Sequence, residues 1–151
     1  MIVDKSILNP IAEYLEKELK RSLSLKNATG ELQKSIEVAV SDVMDGFEIS
    51  GSSLYYGPFV ERGRKPGAKF IPIKALLDWV RIKKIKISGM SDESVAYMFQ
   101  FSIKKKGIKP SLFVYGTLKT NDQKIKNDIE EALKKQVVSA VENMFLQIIQ
   151  N

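Results

Sequence analysis

Neither cysteine nor histidine occurs anywhere in the 151 residues. The lack of cysteine excludes a disulfide framework, a thiolate metal site and a thiol nucleophile. The lack of histidine removes the commonest general base and the commonest metal ligand together, and leaves the serines without an imidazole to activate them. No catalytic, cofactor-binding or metal-binding residue is therefore expected, and the chain does not read as an enzyme. No uninterrupted apolar run approaches the ~18–20 residues of a membrane span. The opening Met-Ile-Val-Asp-Lys sets an acid where a signal peptide needs a positive flank. The expectation is a protein made and used in a cytoplasm, with no membrane anchor. Internal repeats and low-complexity segments are also missing.

What is present is an ordinary folded composition, 44% hydrophobic and 28% charged, enough for a single domain spanning 1–151. The net charge of +6 is unevenly placed. Residues 1–61 hold 6 Lys/Arg against 10 Asp/Glu, a balance of −4, and residues 110–151 hold 5 against 5. Residues 62–109 hold 13 against 3, a balance of +10. A cationic middle third suggests polyphosphate or an acidic protein surface as partner, set against a merely solvated lysine-rich face.

Asn9 reads as an N-cap with Pro10 at the first helical position. Ile11, Leu15, Leu19 and Leu23 then recur at steps of four, predicting an amphipathic helix to about Leu25. Asn27-Ala28-Thr29-Gly30 ends it, with Thr29 capping a short turn through Ser35. From Ile36 the period becomes two: Val38 and Val40, then Phe47 and Ile49, predict strands joined at Asp45-Gly46, a signal for a tight turn with positive φ. Gly57-Pro58 makes Tyr55–Val60 a short helix or turn. Arg62–Phe70 reads as a loop. Pro72 opens a helix carrying Leu76, Leu77, Trp79, Val80 and Ile82–Ile85, and Ser91-Asp92-Glu93 opens another that ends at Lys104-Lys105-Lys106-Gly107. Leu112–Tyr115 reads as a strand or apolar anchor. Asn121-Asp122 caps a last helix whose apolar line, Ile125 to Ile149 in steps of four, packs on the N-terminal helix and the sheet. The fold class is α+β: an antiparallel hairpin or small sheet against a long N-terminal and a long C-terminal helix, with two or three further helices.

The loop cations Arg64-Lys65-Pro66-Gly67-Ala68-Lys69 lack the Gly-Lys-Ser/Thr of a phosphate loop, so any anion contact rests on charge alone. Lys104-Lys105-Lys106, with Lys109, is explained by helix termination. Tyr55, Tyr56, Phe59 and Trp79 could stack bases beside that loop, although aromatics at such spacings are more often core. Glu13/Glu16 and Glu130/Glu131 sit among lysines on helix faces, which argues against acid–base use.

Several segments, in one order, resemble a family. Thr29-Gly30-Glu31-Leu32-Gln33-Lys34-Ser35-Ile36 is similar to "T-G-x-L-R-x-S-I", and Tyr56-Gly57-Pro58-Phe59-Val60-Glu61-Arg62-Gly63 to "Y-A-x-Y-V-E-F-G". Phe70-Ile71-Pro72 with Trp79-Val80, and Ala96 through Gly107 to Phe113, match two later motifs. The pattern is that of the head–tail neck or tail-component family of tailed bacteriophages, with Arg62 where many members have an aromatic. The resemblance rests on Tyr56, Gly57, Phe59, Val60, Glu61, Gly63 and Trp79. It implies a structural virion protein of the neck, in a connector, tail-completion or tail-terminator role, synthesised in the bacterial host cytoplasm. Copies would form a closed ring of six or twelve joining portal or adaptor to tail-tube or tail-terminator proteins, with genomic double-stranded DNA passing through. Arg62, Arg64, Lys65 and Lys69 would line a subunit interface or the DNA channel. The alternative is a small basic nucleic-acid-binding regulatory protein using the same cations.

Overall fold

A computed structural model describes residues 4–24 and 30–149. Thr29 and the turn 27–29 lie outside the described residues. The elements run as a 3-10 turn (Lys5–Leu8), α1 (Asn9–Leu23), α2 (Glu31–Lys34), β1 (Glu37–Val43), β2 (Gly46–Ser52), α3 (Gly57–Arg62), α4 (Ile73–Ile82), α5 (Asp92–Lys106) and α6 (Phe113–Ile149). The architecture is α+β, with a two-stranded antiparallel hairpin packed against the N-terminal helix and the long C-terminal helix. The chain divides into two compact units: 1–22 with 36–52 and 114–151, and 23–35 with 53–113.

In the first unit, the step-of-four line of α1 is buried as its spacing predicts: Ile11, Leu15 and Leu19 each expose under a tenth of their surface. Leu8, Ile11 and Leu15 form the nucleus, and one face of the hairpin (Val38, Val40, Phe47, Ile49) closes over it with Ile125 and Ile129 of α6. The opposite hairpin face is exposed, as alternation on a one-sided sheet requires. Asn9 is not the cap. It is already helical, at φ −56° and ψ −43°, because the 3-10 turn supplies the preceding coil, and Asp4 caps that turn by accepting from the Ser6 amide. The hairpin loop also differs from the reading above. Val43 pairs with Gly46, so the two loop residues are Met44 and Asp45, and the positive φ of the turn, +157°, falls on Gly46 in the first ladder pair.

Glu16 ties helix to sheet. One carboxylate oxygen accepts from the Val38 amide at 3.0 Å and the other from Lys20 Nζ at 2.6 Å. Lys20 first, and the Val38 amide second, hold this carboxyl below the ordinary glutamate value of 4.5. A depressed folded pKa stabilises above the unfolded pKa and is lost as pH falls through the folded value. Wild-type protein should therefore lose more stability from about pH 5 to about pH 3 than Glu16→Gln does, as read by urea unfolding at the two pH values. Equal losses would remove Glu16 from the acid response.

In the second unit, α4 and α5 pack through Leu76, Val80, Val95 and Ala96, with Trp79 edge-on to Phe99 at 5.1 Å. Ser91 caps α5 by accepting from the Ser94 amide, and Gly107 ends it at φ +74°. Helix α4 stops at Ile82, short of the Ile85 expected from sequence. Lys84 takes φ +52°, and this reversal returns Ile85 to the cluster. Leu112–Tyr115 is no strand. Leu112 at φ +52° turns the chain, and buried Phe113 opens α6. Asn121 accordingly lies inside α6 rather than capping it. Its side chain donates to the Thr117 carbonyl and accepts from the Tyr14 hydroxyl at 2.5 Å, pinning α1 to α6.

Candidate interaction surface

The cationic loop is built by a backbone crossing. Arg64 and Ile108 exchange both amide hydrogen bonds at 2.8 Å, so the residues after α3 and those after α5 run as a one-pair antiparallel bridge. The Gly67 amide donates to the Lys104 carbonyl at 2.8 Å, and Lys104 Nζ returns a bond to the Gly67 carbonyl at 2.9 Å. The same ammonium lies 5.2 Å from the centre of the Phe70 ring. Lys104, which helix termination alone seemed to explain, is thus the clasp of the loop.

Glycine is obligatory at both strands of this crossing. A Cβ on Gly63 (φ +70°) would stand 2.4 Å from the Ile108 carbonyl oxygen, and one on Gly107 would stand 2.2 Å from that of Arg64. Contacts that short do not occur, and the obstacles are backbone atoms that cannot swing aside. At Gly57 the obstacles to an added Cβ are side chains instead, the Ser53 hydroxyl at 2.3 Å, which can turn away, and Leu32 at an ordinary contact distance of 3.4 Å. The Val60 and Glu61 carbonyls accept from the amides of Ser111 and Leu112. Burial first, then the nearby Glu31 carboxylate, pushes the Tyr56 phenol above its ordinary value. The role of these residues is therefore largely architectural: Val60, Glu61 and Gly63 bond or pack against the segment after α5, Trp79 packs between α4 and α5, and Gly57 is buried and Tyr56 half-buried beside them.

The four loop cations separate into two kinds. Arg64 is half-buried, and its guanidinium donates to the Lys69 carbonyl, so it shapes the loop from within. Arg62, Lys65 and Lys69 are exposed, and among the described residues no carboxylate comes within ion-pair distance of them. Arg81 and Lys86 engage Asp92 and Glu93, two of the three acids in 62–109. Most of the +10 balance therefore faces solvent. Beside the loop is an open cleft of about 750 Å³ lined by Tyr55, Phe59, Ile71, Ile108, Lys109 and Pro110, among others. Tyr55 is 85% exposed and Phe59 69% exposed, whereas Tyr56 and Trp79 are half-buried. Exposure divides the aromatic cluster, a division that spacing alone does not reveal.

Each carboxylate of the C-terminal pair has a lysine one turn on: Glu130 pairs with Lys134, which holds its carboxyl below the ordinary glutamate value, and Glu131 pairs with Lys135. Among the described residues, no three acidic side chains converge to hold a metal ion, and no helix is long and apolar enough to cross a membrane.

A second surface escaped the sequence reading. The line Leu133, Val137, Val141, Phe145, Ile149 was expected to pack inside the domain, yet all five residues are exposed. Among the described residues, Ile125 and Ile129, which begin that line, pack against the core of the first unit. Comparison of the chain with protein-family models, curated proteins and solved structures returned no match.

Proposed function

We propose that this chain is a structural protein of the phage head–tail neck that assembles as a ring and acts through surfaces rather than chemistry. The observation that carries the reading is the glycine crossing. The segments similar to the family's motifs, after α3 and after α5, meet at Gly63 and Gly107 and hold a cationic loop in a defined place. A loop so clasped presents Arg62, Lys65 and Lys69 without an acidic partner among the described residues. In a ring the same cations recur around a circle, where they suit an acidic neighbour or passing duplex DNA. A heterologous interface, one face against a different face of the next copy, is what closes such a ring.

Native mass spectrometry of the protein mixed with portal-bearing heads tests this. A defined multiple of the chain should join the portal complex. A chain that stays off the heads but binds duplex DNA tightly as a monomer or dimer, with steep salt dependence, would instead be the nucleic-acid-binding regulator that the exposed cations also suit.

A further inference from the structure

Helix α6 is 37 residues long, about 55 Å at the α-helical rise. Among the described residues, its part beyond Ile129 contributes none to the buried nucleus of the first unit. In that part Met144 is 61% exposed, Phe145 62%, Ile148 70% and Ile149 78%, with Leu133, Val137, Val138, Val141 and Leu146 also exposed. We infer that the distal half of α6, residues 133–149, is a self-association element that packs against the same segment of other copies of this chain.

The area matches that occupant. At roughly 150–200 Å² per fully exposed large apolar residue, these nine leave on the order of 900 Å² uncovered, about one partner's share of a standard interface. Charge matches too. From Gln136 to Ile149 the only charged side chain is Glu142, so identical segments meet with a single carboxylate each to keep at the rim. Just upstream, Lys134 and Lys135 are already neutralised by Glu130 and Glu131.

Periodicity sets how copies lie together. Ile129, Leu133, Val137, Ala140, Met144 and Ile148 follow steps of four, four and three, an eleven-residue repeat close to the natural pitch of a straight helix. That stripe stays on one side, while Val138, Phe145 and Ile149 make a second flank apolar. A helix apolar on two flanks can touch two neighbours at once, which side-by-side packing around an axis needs. In placing the copies in a ring the inference rests on the neck reading above; self-association through 133–149 stands on the helix itself.

The test is sedimentation velocity and native mass spectrometry of the isolated full chain, wild type against Phe145→Glu/Ile148→Glu. Both side chains are exposed, and circular dichroism would verify that the helix content is kept. Wild type should form a defined oligomer, and the double variant should weaken association by about two orders of magnitude, as loss of two interface anchors does. Phe145→Leu/Ile148→Val should assemble like wild type. A wild type that is monomeric at its highest soluble concentration overturns the inference, as does an oligomer untouched by the double variant. So does a monomer that binds phosphatidylglycerol vesicles through these residues, because a lipid surface would then be the cover. Assembly through 133–149 without joining portal-bearing heads would retain this inference and remove the neck reading; a monomer that joins heads would do the reverse.

Discussion

Alanine at position 107 should unfold the second unit, whereas alanine at position 67 should leave it folded. Both glycines have positive φ, +74° and +78°, so both substitutions carry a backbone cost of about 1–3 kcal/mol, and Gly107 with ψ −167° sits in a region that is essentially glycine-only. At Gly67 nothing lies within 4 Å of an added Cβ, and the backbone cost is all there is. At Gly107 the Cβ would meet the Arg64 carbonyl oxygen at 2.2 Å and the Pro66 ring at 3.0 Å. Relief requires opening the Arg64–Ile108 bridge and its two hydrogen bonds. Lost bonds, overpacking and backbone cost together reach about 4 kcal/mol or more, a large part of a small domain's whole stability. Gly63→Ala should behave like Gly107→Ala, since its Cβ meets Ile108 and Pro110 from the other strand. Trp79, the chain's sole tryptophan, sits in the α4–α5 cluster and reports unfolding of this unit by fluorescence in urea. Equal midpoints for the alanine variants at 67 and 107 would show that the crossing does not hold the unit together.

Replacing Arg62, Lys65 and Lys69 together by serine should abolish most polyanion binding while leaving stability unchanged. Each cation that neutralises a phosphate adds about 0.9 to the slope of log affinity against log salt, so three should remove nearly three from it. Arg64→Ser should do the opposite. Its guanidinium serves the Lys69 carbonyl, so stability falls by about 1 kcal/mol and the salt slope stays put. Fluorescence anisotropy with a random-sequence duplex over a salt series reads both. An unchanged slope for the triple variant would take the loop out of the contact. A slope lost with Arg64→Ser alone would mean that the guanidinium leaves its carbonyl to bind.

Much of the fold was legible because periodicity is a direct record of burial. The α1 line, the alternation of Val38/Val40 and Phe47/Ile49, the Ser91 cap and the Gly107 stop are each local consequences of residue type. The errors fell where a local signal had a distant competitor. Asn9 and Asn121 are both good cap residues, but a 3-10 turn preceded one, and the buried start of α6 at Phe113 placed the other inside a helix. Asp45-Gly46 is a strong turn signal, yet strand register placed Gly46 in the first ladder pair. The loop cations look alike in a row of letters. Only the crossing of two backbones turns Arg64 inward and leaves Arg62, Lys65 and Lys69 outside.

By itself, then, the order of residues determined the helices and strands, the cationic middle and the want of histidine and cysteine, since these depend on near neighbours or on composition alone. Tertiary structure decided which side chains have cover. A stripe of apolar residues states a demand for burial, but the supply depends on which segments reach it. Among the described residues the apolar line of α6 packs on the core only as far as Ile129, and from Leu133 onward its large apolar side chains stay exposed.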